Sequence, residues 1–159
     1  MNPVVLIVVG LPGCGKTKYL EELRRDGWST FDDFKAKAVD DRFQSARGIE
    51  DLLLRLRSNC KCAVADIDFC KGDARDEAEE VLRAAVPSVD VRWCFFANDA
   101  QACELNIKQR NRESIDKDLE LLRRYFPLYS IPNGAHLRSV PALTFESQPT
   151  SAADSSFSK

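Results

Sequence analysis

The chain has 159 residues, 23 Lys and Arg against 25 Asp and Glu, a formal net charge of −2 and a hydrophobic share of 44%. This gives room for one domain with a real core, and it excludes a global basic field that would draw the protein onto nucleic acid or an acidic membrane; a nucleic-acid partner would have to be gripped locally. The first apolar run ends at Gly10, far short of the roughly 20 residues of a membrane span, and without a basic n-region or cleavage site the expectation is a cytoplasmic protein.

Val4 to Val9 (VVLIVV) is short, β-branched and continuously apolar, the pattern of a strand buried on both faces of a parallel sheet. It leads straight into Gly10-Leu11-Pro12-Gly13-Cys14-Gly15-Lys16-Thr17, which matches the phosphate-binding pattern GxxxxGK followed by Ser or Thr. Glycines in such a loop let backbone N–H groups curl round a phosphate, Lys16 brings a point charge to the outer phosphates, and the Thr17 hydroxyl suits Mg²⁺. A helix should follow: Leu20 and Leu23, with Tyr19 nearby, share one helical face, and Gly27 sits where a C-terminal cap would end it. With strand, loop, Lys-Thr and helix in this order, the segment predicts binding of a nucleoside triphosphate.

Strand-like and helix-like segments then alternate, which predicts an α/β fold with a parallel sheet. Trp28 to Phe31 is a short second strand running into Asp32-Asp33, and Ile49, Leu52, Leu53 and Leu56 mark the next helix. Cys62 to Ile67 is the third strand; Asp73, with Asp76 three residues on, opens a helix through Ala85 that Pro87 ends. The fourth strand spans Val89 to Phe96, and Asn98 with Gln101 resembles a capping box for the helix after it. Ser114 is the expected cap of a further helix whose core face is Ile115, Leu119, Leu122 and Phe126. Pro127 and the Pro132-Asn133-Gly134 turn close that helix, and His136 to Leu143 reads as a last strand. Residues 1–146 thus form one domain, and from Ser147 the chain becomes small and polar, an expected disordered tail over 147–159.

Six cysteines, Cys14, Cys60, Cys62, Cys70, Cys94 and Cys103, fall mostly within apolar patterns and without a CxxC pair, which suggests reduced, buried thiols. Cys14 is the expected exception, since a helix N-terminus and Lys16 would favour its thiolate and make it easy to alkylate. His136, Trp28 and Trp93 are read as structural.

In an open parallel sheet, function gathers outside the carboxyl ends of the strands. Asp32 and Asp33 follow the second strand, where a carboxylate can accept the proton of a hydroxyl that attacks a γ-phosphate; the plainer alternative is a helix cap or a solvated turn. Asp66 and Asp68 end the third strand in the manner of the element that steadies Mg²⁺ directly or through water, with Asp66 preferred. Lys108 to Glu113 lies between two helices, where a lid cation would close over the departing phosphate; Arg110 shares a helical face with Cys103, Asn106 and Ile107, and Arg112 points elsewhere if the helix is unbroken.

Together these residues resemble the P-loop kinases related to polynucleotide 5′-hydroxyl kinase, the zeta-toxin-like group, from about Val4 to Leu143. The loop motif is shared with very many nucleotide-binding proteins; Phe31-Asp32-Asp33-Phe34-Lys35 is more discriminating. The resemblance implies a three-layer P-loop fold with about five parallel strands ordered 2-3-1-4-5, and ATP and Mg²⁺ as cosubstrate and metal. It further implies Asp32 as the base, Asp33 and Lys35 beside the acceptor, and Arg110, then Arg112, at the nucleotide phosphates. Lys35 stands where those kinases carry arginine, and the loss of a planar bidentate fork puts a nucleic-acid 5′ end in doubt.

The expected activity is therefore ATP-dependent phosphorylation of a hydroxyl on a nucleic-acid end, a nucleoside or nucleotide, or a small metabolite. A nucleotide-dependent switch and an inactive kinase-like interaction protein are the alternatives. Lys35, Lys37, Arg42 and Arg47 could line a basic channel for nucleic acid, although a solvated helix face is the preferred reading of them.

Overall fold

A computed structural model describes residues 1–35, 40–110 and 113–143. Its strands are β1 (Val4–Val9), β2 (Ser29–Phe31), β3 (Lys61–Ala65), β4 (Asp90–Phe96) and β5 (Leu137–Arg138). The helices are α1 (Lys16–Arg25), α2 (Ile49–Arg57), α3 (Gly72–Ala85), α4 (Ala100–Gln109) and α5 (Ile115–Tyr125). The strands form one sheet in the order β2-β3-β1-β4-β5, and every pairing is parallel. Helices flank this sheet in a three-layer, P-loop-like α/β arrangement with the strand order expected from the resemblance.

β1 lies at the centre, between β3 and β4, and its apolar run has the burial expected of that place: Val5, Ile7, Val8 and Val9 are fully buried. The same holds for Cys62 to Ala65 of β3. A strand enclosed on both faces cannot alternate polar and apolar residues, because either face would then bury unpaired polar groups. α1 ends as expected at Gly27: the Trp28 N–H donates to Leu23 O and the Gly27 N–H to Arg24 O, the paired bonds that satisfy the last helical carbonyls.

Several boundaries depart from the sequence pattern. β3 stops at Ala65 rather than Ile67, because the Asp66 carboxylate accepts the Asp68 N–H at 2.9 Å and turns Ile67–Cys70 into a 3₁₀ turn. α4 is capped by Asp99 and not by Asn98; Asp99 Oδ1 accepts the Ala102 N–H at 3.0 Å. Ser114 does stand at the start of α5, but its hydroxyl donates to Asp118 Oδ2 at 3.3 Å instead of accepting a backbone N–H. Phe126 belongs to a 3₁₀ turn and is 44% exposed, so the core face of α5 rests on Leu119 and Leu122. The strand expected over His136 to Leu143 shrinks to Leu137–Arg138, paired with Phe95 and Phe96. Residues 147–159, expected as a tail, lie outside the described residues. Among the described residues no helix is long and apolar enough to cross a membrane.

Candidate active site

The loop from Gly10 to Thr17 occupies the carboxyl end of β1, the central strand, where the strand order reverses and a crevice opens. Gly13 has φ +84°, and a Cβ placed on it would come within 2.5 Å of the Cys103 carbonyl oxygen. Only glycine serves both demands, a left-handed backbone and direct contact with α4. Gly15 caps α1, so the N–H groups of the first turn, from Lys16 onward, point out of the helix without helical acceptors. Those donors and the positive end of the helix form a cradle for an anion.

The cradle is held from behind by Asn106, which is 2% exposed. Its amide donates to Gly13 O at 2.8 Å and to Pro141 O at 2.9 Å, and its oxygen accepts the Leu143 N–H at 2.9 Å. One buried side chain thereby ties α4, the loop and the segment after β5 together. A lone asparagine between Cys103 and Ile107 on an apolar helical face was the sequence signal for this role. The Lys16 ammonium folds over the loop and donates to Gly10 O at 2.6 Å and Leu11 O at 2.9 Å.

Cys14 does not fit the expectation of a reactive thiol. It is fully buried, and that burial pushes its pKa up despite the neighbouring Lys16, so the thiolate is disfavoured and access is closed. All six cysteines are free thiols.

Across from the loop, the chain leaves β2 through Asp32 and Asp33. The Thr17 hydroxyl donates to Asp32 Oδ2 at 2.7 Å, and Asp32 Oδ1 accepts the Asp33 N–H at 2.9 Å. Asp33 takes φ +46°, a left-handed conformation that aspartate tolerates better than most residues. Partial burial, then the adjacent Asp32 charge, raises its pKa.

Pro12, Gly13, Gly15, Lys16, Thr17, Asp32, Asp33 and Arg110 meet around one cavity of about 220 Å³. Arg110 arrives as the C-terminal cap of α4, its N–H bonded to Asn106 O and Ile107 O. Arg112, the other lid candidate, and Lys37 lie outside the described residues. Arg42 pairs with Asp40 at 2.7 Å on the surface, and Arg47 is exposed.

A second cavity of about 490 Å³ adjoins the first, and Asp33, Ile67, Ser114, Asp118 and Leu121 line both. Lys35, Asp66 and Asp68 belong to this second space. Asp66 is 4% exposed and accepts the Lys35 N–H at 2.6 Å as well as that of Asp68. Burial raises its pKa against the pull of those two donors. Lys35 Nζ lies 2.8 Å from Asp68 Oδ2, with side-chain exposures of 5% and 9%. The Tyr125 hydroxyl donates to Asp68 Oδ1 at 2.9 Å, and Lys71 Nζ approaches the same oxygen at 3.3 Å. Burial pushes the Asp68 carboxyl upward, but the bonds from Lys35 and Tyr125 with the lysine charges outweigh it and hold it below its ordinary value. The contributions of Tyr125, Ser114, Asp118 and Leu121 were not legible in the sequence, since α5 reaches the site only through the tertiary fold.

Two hard oxygen donors, the Thr17 hydroxyl and the Asp32 carboxylate, sit together at the mouth of the cradle. Among the described residues no group of three or more His, Cys, Asp or Glu side chains is set to hold a metal. The donor chemistry fits Mg²⁺, which commonly takes one or two protein oxygens and completes its shell with phosphate and water.

Fold and loop together define a P-loop-like α/β protein. No protein-family profile matches the chain. It is similar to the uncharacterized protein R277 of Acanthamoeba polyphaga mimivirus, with 25% identity over 133 residues, covering 82% of this chain and 89% of that protein. Among solved structures, a chain of the Pnkp1/Rnl/Hen1 RNA repair complex aligns with 94% of this chain at 18% identity and a TM-score of 0.48. The alignment covers 53% of that longer chain.

Proposed function

We propose that the protein is a kinase that transfers the γ-phosphoryl group of ATP to a hydroxyl acceptor. The observation that carries this reading is the 2.7 Å contact between Thr17 and Asp32, which brings the end of β2 against the phosphate cradle. A nucleotide-binding module could use one carboxylate there for Mg²⁺; the second, Asp33, and the adjoining cavity favour phosphoryl transfer to an alcohol, which needs a proton acceptor and room for the alcohol.

In this reading the N–H groups around Gly13, Gly15, Lys16 and Thr17 hold the phosphates, and Lys16 turns its ammonium toward them. Thr17 would hold Mg²⁺ directly and Asp66 would steady it only through water, since backbone N–H groups already engage both oxygens of that carboxylate; the ion when bound would offset charge on the β- and γ-phosphates. Asp32 accepts the proton of the acceptor hydroxyl as its oxygen forms the new bond to the γ-phosphorus. The bond from that phosphorus to the bridging oxygen breaks, and ADP leaves with the electron pair. Arg110, on the rim of the same cavity, balances charge on the group in transit. The acceptor itself occupies the adjoining cavity, with Asp33 and Lys35 at its border.

Transfer of labelled γ-phosphate, measured with and without a panel of nucleosides, sugars and short 5′-hydroxyl oligonucleotides, tests the assignment. A kinase consumes ATP in proportion to the acceptor and yields a phosphorylated product. ATP hydrolysis that ignores every acceptor would instead identify a nucleotide-dependent switch.

A further inference from the structure

The second cavity holds a lysine that faces a potential acceptor yet is already spoken for. Lys35 is buried with its ammonium on Asp68, and Tyr125 and Lys71 complete the environment of that carboxylate. An ammonium withdrawn into such a pair can bind an anionic ligand only by giving up its own buried partner and leaving Asp68 to Lys71 and Tyr125, a costly exchange. Among the described residues the other cation on the cavity wall is Lys117, which is exposed. Against these stand Asp33, Asp41 and Asp118, while the two oxygens of Asp66 are engaged by backbone N–H groups.

Resting on the kinase reading above, we infer that the acceptor is a small alcohol that carries an ammonium group, and that the Lys35–Asp68 pair is what turns phosphate-bearing alcohols away. Two arrangements support this together: a cation locked by its own carboxylate, and a wall on which, among the described residues, Asp33, Asp41 and Asp118 outnumber the one remaining cation, Lys117, and which reaches the first cavity, where Lys16 and Arg110 stand, through Asp33 and Asp118. An amine beside the reacting hydroxyl finds acceptors on that wall. A phosphate in the same position meets carboxylates, and a nucleic-acid 5′ end brings at least one phosphate within a nucleotide's length. Specificity here comes as much from repulsion of the wrong ligand as from attraction of the right one.

Glucosamine, glucose and glucose 6-phosphate form a matched set of probes, and NMR titration of each into the full chain loaded with a non-hydrolysable ATP analogue and Mg²⁺ ranks them without any need for turnover. The expected order is glucosamine first, about tenfold tighter than glucose, with glucose 6-phosphate weakest. Asp118→Asn should shrink the gap between glucosamine and glucose to about threefold or less, and Asp68→Asn, which releases Lys35, should raise glucose 6-phosphate relative to glucose. Tighter binding of glucose 6-phosphate by the unmodified protein, equal binding of all three, or no binding of any would overturn the inference. Should Asp68→Asn fail to fold, Asp118→Asn still decides: an unchanged glucosamine preference in that variant removes the wall from the explanation. The expected ranking without labelled transfer to any acceptor would sink the kinase reading alone, and efficient transfer to a 5′-hydroxyl oligonucleotide would sink this inference alone.

Discussion

The two halves of the cleft are built on different principles. The phosphate side is a local structure: Lys16 bonds to carbonyls five and six residues earlier, and the loop takes its shape from glycines within one turn of chain. On the side proposed for the acceptor the contacts span the fold, with Lys35 and Asp68 separated by 33 residues and Tyr125 and Asp68 by 57. Backbone groups can shape a site for a ligand common to many proteins, whereas selectivity among alcohols needs side chains, and side chains from distant segments meet only after folding.

Breaking the phosphate side should have the largest effect. Lys16→Ala removes the point charge from the cradle and is expected to abolish detectable ATP binding, read by calorimetry with Mg²⁺ present, with the fold intact by circular dichroism. Asp32→Asn should leave ATP binding close to normal and lower kcat by about 10², the size of a general-base contribution. A near-normal kcat in that variant, with a comparable fall in Asp33→Asn, would move the base to Asp33.

On the acceptor side the expected loss is first one of stability. Asp68→Asn leaves Lys35 charged and unpaired in a buried position, a change that costs about 3–5 kcal/mol in such pairs, and urea unfolding measures it. The pH dependence carries a defined sign. Because the folded protein holds the Asp68 pKa below its ordinary value, this carboxylate stabilises the fold above the ordinary carboxylate range. That contribution fades as pH falls through the folded-state value. Acid unfolding of Asp68→Asn should therefore be shallower than that of the parent protein over that window.

Asn106→Ala tests the link between the halves. It strands the Gly13 and Pro141 carbonyls and the Leu143 N–H, so a loss of about 1–3 kcal/mol is expected. A rise in the Kd for ATP should accompany it if the asparagine holds the loop in its binding shape. Smallest of all is the response of Cys14: iodoacetamide should label it in the folded protein no faster than Cys70 or Cys103, whose pKa values burial pushes up to about 12. Rapid selective labelling of Cys14 would show that the loop opens far more than its packing implies.

The elements legible in advance were those with a strong local cause. A doubly buried β1, the phosphate loop and the Gly27 cap each follow from residues within a few positions of one another. Where the structure departs from the sequence pattern, a competing local bond or a tertiary contact intervenes: Asp66 ends β3 early, Asp99 takes the cap from Asn98, and β5 keeps only the two residues that pair with β4. Cys14 was placed correctly at the head of the helix, but the depth of its burial could not be read from position alone.

From its residues alone this chain disclosed a parallel α/β sheet, a glycine-rich loop with the phosphate-binding pattern and a pair of carboxylates after the second strand, because periodicity, glycine placement and motif spacing are properties of short segments. Tertiary structure alone decided that Thr17 meets Asp32, that Asn106 braces the loop from behind, and that Lys35 is paired with Asp68. The physical reason is that a charge's function depends on the partner folding brings to it, and the chain order does not encode which carboxylate arrives.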